Sequence, residues 1–184
     1  MQTKDLEFLI KQTRTVHNYQ KSSVDINILT ECLSLSLMAP NHRLSMPWKF
    51  KLVGQKMRTQ LAQLQIQMKG KSTTEDIQKT HDQFLNPAFL LVPYLEKKED
   101  HLYKEDYATL SCSIQLLALS LRQHDLSYKW STGKITKASE TYQLLNIDET
   151  KYQIEGWIWI GHALGDIPSL TARPVIDTIL EITD

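Results

Sequence analysis

The sequence predicts an α+β fold, on three observations. Runs with helical spacing outnumber runs that read as strands. The two kinds do not alternate regularly, which argues against a doubly wound sheet. One stretch, Tyr107 to Arg122, is apolar nearly all round, the pattern of a helix at the centre of a molecule. The chain has 184 residues, enough for a sizeable core, and its length does not require a second domain, so residues 1–184 are read as one unit.

The elements follow in order. A first helix is expected over Thr3–Gln12, where Leu6, Leu9 and Ile10 recur at helical spacing. A second runs from Asp25 to Met38 and stops before Pro40, because the residue ahead of a proline is pushed out of the helical region. Trp48–Val53 alternates as a strand that Gly54 ends. Lys56–Lys69 carries a stripe of Met57, Leu61, Leu64 and Met68, with Gly70 as its stop. Ser72-Thr73-Thr74-Glu75 reads as a capping box opening a helix that reaches Leu85. Ala88–Tyr94 is a buried strand in which Pro93 points to an end or an edge. After the central helix, a shorter one covers Ala138–Leu145. Gln153–His162, QIEGWIWIGH, is the strongest strand, continuous and buried on both faces. The tail, Arg173–Ile182, reads as extended or as a short helix.

Composition excludes several classes. Basic and acidic side chains number 21 each, so no net field draws the chain toward nucleic acid or an anionic membrane. The N-terminal stretch is too polar for a signal peptide, and the apolar run around Leu110–Leu121 is too short and too interrupted to span a bilayer. Cys32 and Cys112, both inside predicted helices and without CxxC spacing, read as buried thiols in a reducing cytoplasm. No GxSxG elbow, HExxH pair, dinucleotide fingerprint or P-loop is present, and the six histidines are scattered.

Polar clusters at element ends remain. Thr13-Arg14-Thr15 leaves the first helix as two hydroxyls around a guanidinium, which composition alone reads as a solvated helix end but which can also hold a phosphate by forking onto two oxygens. Between helix and strand, Ala39-Pro40-Asn41-His42-Arg43 leads to Pro47-Trp48, an imidazole, a guanidinium and an indole close together. Trp130-Ser131-Thr132-Gly133 reads as a compact polar turn, and Arg173 stands just ahead of Pro174.

In these places the chain resembles the nitroreductase family of flavoproteins, and especially its small single-domain bacterial members. Thr13-Arg14-Thr15-Val16 with Tyr19 is similar to the family's Arg-Arg-Ser-Val-Arg-x-Phe. Ala39-Pro40-Asn41-His42 and Pro47-Trp48-x-Phe50 resemble its Ala-Pro-x-His and Gln-Pro-Trp-x-Phe segments. Trp130-Ser131-Thr132-Gly133 falls where small members carry Trp-Arg-Ser-Gly, and Gly156–Gly161 resembles the Gly-Phe-x-x-x-Gly strand. The chain departs from the pattern at Thr13, His17, Met46, Ser127-Tyr128 and Ser131.

The resemblance implies an antiparallel-rich mixed sheet surrounded by helices, with a buried central helix, in an intertwined homodimer that binds FMN at its interface. By the same likeness Arg14 and Thr15 bind the phosphate and ribityl end, with Thr13 beside them. His42 lies close to the flavin. Trp130, Ser131 and Thr132 form the other wall, largely through backbone groups, and Arg173 completes the phosphate clamp. The implied activity passes electrons from NADH or NADPH through flavin to a nitroaromatic or quinone. The contrasting expectation is a homodimer that keeps the fold and binds flavin or a partner without turnover.

Overall fold

A computed structural model describes residues 5–167, 169, 172–174 and 179–180. Its helices are α1 (Leu6–Gln12), α2 (Ile26–Ser36), α3 (Gln55–Met68), α4 (Thr74–Leu85), α5 (Asp100–Gln123) and α6 (Ser139–Leu145). Its strands are β1 (Lys49–Leu52), β2 (Phe89–Glu96), β3 (Ser127–Ser131), β4 (Tyr152–Ile154) and β5 (Trp157–Gly161). They form one sheet in the order β1-β2-β5-β3, with β4 also on β2, and every ladder is antiparallel. A lone parallel bridge joins Thr15 to Tyr128 at the β3 edge. The α+β reading and the antiparallel-rich sheet hold.

Side chains alternate across a strand, and β5 uses both faces. Trp157 and Trp159 enter one core with Leu61, Phe84, Val92 and Tyr142, under α3, α4 and α6. Ile158 and Ile160 enter the other with Leu29, Cys32, Leu110, Leu117 and Leu121, under α2 and α5. The expectation of a strand buried on both faces is met.

The strand is not continuous, however. β5 pairs with β2 over Phe89–Leu91, β4 pairs with it over Tyr94–Glu96, and Glu155-Gly156 forms the break between them. The Glu155 N–H donates to the Pro93 carbonyl at 2.9 Å, and Gly156 turns the chain at φ 131°. Pro93, which has no N–H to offer, stands opposite the break, where the ladder asks for no donor. It therefore sits in an interior strand, not at an edge as the sequence suggested.

Local chemistry accounts for most helix ends. Asp25 caps α2 by accepting from the Asn27 N–H at 2.9 Å, and Gly70 at φ 59° follows α3. The cap of α4 is Thr73, whose hydroxyl accepts from the Asp76 N–H at 3.2 Å, one residue later than the predicted Ser72–Glu75 box. The α3 stripe ends at Leu64, for Met68 is exposed. The predicted start of α1 at Thr3 lies outside the described residues, as does most of the tail. The central helix starts at Asp100, not Tyr107; its first turns are charged and carry no apolar signal, and Lys104 pairs with Asp100 one turn back. α5 packs on α2 and the sheet, but its third side, with Ala108, Cys112 and Gln115, is exposed. Cys112 is thus not the buried thiol expected, whereas burial pushes Cys32 up to about 11.

Gly156 is the backbone position with least latitude. A Cβ there would lie 2.6 Å from the Ser131 carbonyl oxygen and 2.8 Å from the Trp130 indole nitrogen. Gly156→Ala should lower unfolding free energy in urea by of order 1–3 kcal/mol, since strained φ adds to the clash. At Gly133, where an added Cβ meets nothing within 4 Å, the same change should stay within ~0.5 kcal/mol. Equal effects at the two glycines would contradict this account.

Candidate functional site

The end of α1 is held against the sheet edge. Thr13 caps the helix, its hydroxyl donating to the Leu9 carbonyl at 2.7 Å. One Arg14 nitrogen, Nη1, donates to the Thr13 carbonyl at 2.6 Å. The other two, Nε and Nη2, are buried and have no hydrogen-bond partner among the described residues. Thr15, which is exposed, bridges to Tyr128, and the Val16 N–H donates to the Tyr128 carbonyl at 3.1 Å. A buried guanidinium with two idle N–H-bearing nitrogens is costly unless an anion or another acceptor takes them up.

The strand that receives this helix end was not foreseen. Trp130 and Ser131 belong to β3, so the predicted Trp130–Gly133 turn begins only at Thr132. β3 is the sheet's edge. Because the Tyr128 carbonyl faces away from β5, and backbone direction repeats every second residue, the N–H and C=O of Trp130 face the same open side. The side chains are used internally. The Trp130 indole donates to the Glu155 carbonyl at 2.9 Å, and the Trp159 indole donates to the Ser131 hydroxyl at 2.9 Å. Ser127 and Tyr128 are ladder residues opposite Gly161 and Ile160.

Two cavities flank this strand. The larger, about 650 Å³, is lined by Thr132, Gly133, Tyr103, Tyr107, Lys137 and Glu155 among others. That volume lies within the range of small-molecule sites, roughly 300–1,000 Å³. The Tyr103 hydroxyl donates to the Glu155 carboxylate in its wall. Burial raises the pKa of both groups, so Glu155 gives up its proton less readily than an ordinary carboxyl and the Tyr103 hydroxyl keeps its own. The second cavity, about 360 Å³, contains His17, Lys79, Asp82 and Lys129. Burial first, and then the charge of Lys69, lowers the pKa of the Lys129 amine. Sequence reasoning missed Lys129; its place directly ahead of Trp130-Ser131-Thr132 was the available signal.

His42 is elsewhere. It opens a 3-10 turn, His42–Leu44, with Nε2 accepting from Arg43 Nε at 3.1 Å and lying 3.7 Å from Glu105 on α5. Glu105 is two residues from Tyr103 and two from Tyr107, about 200° around the helix. One chain therefore keeps His42 on the opposite side of α5 from the larger cavity. Met46 is exposed, and Arg173 is exposed in chain without regular secondary structure. Among the described residues no cluster of histidine, cysteine, aspartate or glutamate is placed to hold a metal, and no helix is long and apolar enough to cross a membrane.

An antiparallel sheet clad by helices on both faces, with buried Arg14 nitrogens that no described residue takes up and cavities beside an edge strand, defines an α+β protein with room for a small molecule at that edge. The chain belongs to the nitroreductase family, whose model matches residues 10–162. It is 25% identical over 152 residues to the Bacillus subtilis protein named "Putative NAD(P)H nitroreductase YfhC", covering 79% of this chain and 78% of that one. The structure of a nitroreductase-like family protein from Bacillus cereus superposes with a TM-score of 0.83 at 25% identity, covering 100% of this chain and 98% of the other. Two more distant structures share the fold. One is a nitroreductase-type protein from Desulfovibrio desulfuricans in complex with FMN, with a TM-score of 0.75 at 18% identity, covering 98% of this chain and 99% of that one. The other is the FMN-dependent nitroreductase NfnB from Mycobacterium smegmatis in complex with NADPH, with a TM-score of 0.77 at 13% identity, covering 97% of each chain.

Proposed function

We propose that this chain is an FMN-dependent oxidoreductase that passes electrons from NADH or NADPH to a nitroaromatic, quinone or similar acceptor. The observation that carries the reading is Arg14, whose buried Nε and Nη2 have no partner among the described residues, beside the open edge of β3. A phosphate monoester carries close to two negative charges and supplies the acceptors that these nitrogens need. Bound flavin supplies the electron-transfer chemistry, so no side chain need act as nucleophile or metal ligand.

The chain's own groups then have distinct tasks. Arg14 and Thr15 hold the phosphate and ribityl end, with Thr13 beside them fixing the end of α1. The outward backbone of Trp130, with Ser131 and Thr132, lines the wall formed by β3. Arg173 adds a second cation to the phosphate. Lys129 contributes positive charge near the same strand, where the family pattern has basic residues that this chain lacks. Residues 1–184 act as one domain in the cytoplasm.

A second copy completes the site. His42 lies across α5 from the larger cavity, so a single chain cannot bring both to one flavin. Apolar side chains at the end of α2 and in the loop beyond it face outward, Met38 at 73% and Leu44 at 74% exposure. The open side of α5 adjoins them in sequence contacts through the His42 turn. A homodimer covers these surfaces and carries His42 to its partner's flavin. Light scattering should give the mass of two chains at micromolar concentration; a stable monomer would remove this part of the reading.

Two further outcomes are expected. Mixed anaerobically with NADH or NADPH, the FMN-loaded protein should lose its oxidised-flavin absorbance and regain it on adding a quinone. Persistent yellow colour with both nicotinamides would favour the flavin-binding homodimer without turnover. Arg14→Ala should weaken FMN at least ~30-fold, the low end of losing a charged partner in a buried pair. Riboflavin, which has no phosphate, should bind parent and variant alike. Unchanged FMN affinity would place the phosphate elsewhere.

A further inference from the structure

The loop that presents His42 has a conformation its own sequence does not favour. Arg43 and Leu44 have φ of 53° and Met46 has φ of 46°, a left-handed region that residues other than glycine seldom enter. Three such residues within four positions persist only where the surroundings over-determine them. The determining contacts form a chain. The Met46 N–H donates to Asn41 Oδ1 at 2.9 Å, and Asn41 Nδ2 donates to the Ser45 hydroxyl at 3.1 Å. That hydroxyl donates to Asp106 Oδ1 at 2.8 Å, and Lys98 Nζ donates to Asp106 Oδ2 at 2.7 Å. Asp106 lies on α5 with its side chain only 5% exposed. Its neighbour Glu105 is the carboxylate nearest His42.

We infer that Asp106 is a positioning residue: through Ser45 it latches the Asn41–Met46 loop to α5 and so sets where His42 stands. The carboxylate is well suited to this task. Buried, and paired with Lys98 through one oxygen, it presents the other oxygen as a fixed acceptor for the Ser45 hydroxyl. The loop has no other side-chain hydrogen bond to the body of the protein among the described residues apart from the weak His42–Glu105 contact. Cutting the one link at Ser45 frees the loop while leaving the buried Asp106–Lys98 pair intact. The role of His42 at the flavin rests on the proposed function; the latch itself rests on these contacts alone.

Arg43 is exposed within the loop of a single chain. Trypsin, applied to parent and variants at one protein concentration, therefore reports on the latch as a ratio of rates that pairing of two chains leaves unchanged. Ser45→Ala should speed cleavage after Arg43 about tenfold, the equivalent of one lost charge-assisted hydrogen bond. Cleavage after Lys134, in a separate exposed turn, should keep its parent rate. Ser45→Thr, which keeps the hydroxyl, should restore the slow cut, and Asp106→Asn should speed it. Parent rates after Arg43 in both Ser45→Ala and Asp106→Asn would overturn the inference. FMN titration of Ser45→Ala separates the two readings. A faster cut with weaker FMN binding supports both, whereas a faster cut with unchanged FMN affinity supports the latch and removes His42 from the flavin site.

Discussion

The burial of β5 on both faces is the constraint from which the rest of the architecture follows. Trp157, Ile158, Trp159 and Ile160 are each at most 3% exposed. A strand with large apolar groups pointing both ways cannot face water on either side, so the sheet needs a helical layer above and another below. Burying one aromatic side chain stabilises by a few kcal/mol at roughly 25 cal/mol per Å², so this short strand carries much of the hydrophobic driving force. Phe84 meets Trp159 edge-on at 4.9 Å between ring centroids, which fixes α4 on the tryptophan face. α2 and α5 take the isoleucine face.

That arrangement decides where a ligand can be held. With β2 on one side of β5, β3 is left as the outer strand, and the chain leaving α1 meets it at Tyr128. In the function proposed, the phosphate and the flat ring therefore share one sheet edge. α5 separates this edge from the His42 loop, and for that reason the geometry of a single chain leaves the constellation in two pieces.

Much of the fold was legible because long-range burial leaves a periodic trace. α2, α3, α6 and β1 stand within a residue or two of their expected bounds. α5 was read short because Asp100–Asp106 is rich in charge, and helix there is supported by ion pairs and by packing that a hydropathy pattern does not register. β3 escaped because its residues are only half buried and its partner strand is distant in sequence. Of the site, the helix end at Thr13–Thr15 and the loop at His42 could be read as polar clusters at element ends. The idle nitrogens of Arg14, the cavity position of Lys129 and the Ser45–Asp106 contact could not, because each depends on which residues tertiary packing sets side by side. Cys112 illustrates the same limit: its helix is central, but the side it occupies is open.

The break at Glu155-Gly156 is more than an interruption in a strand; it is a joint where three strands are fastened by one residue. Glu155 gives its N–H to Pro93 on β2 and takes the Trp130 indole of β3 on its carbonyl, although β2 and β3 are not neighbours in the sheet. A regular β-ladder links only adjacent strands, so this residue lets the outer strand sense the position of an inner one directly. Pro93 belongs to the same joint by what it omits: with no amide hydrogen, it leaves no donor to be satisfied where the ladder is interrupted.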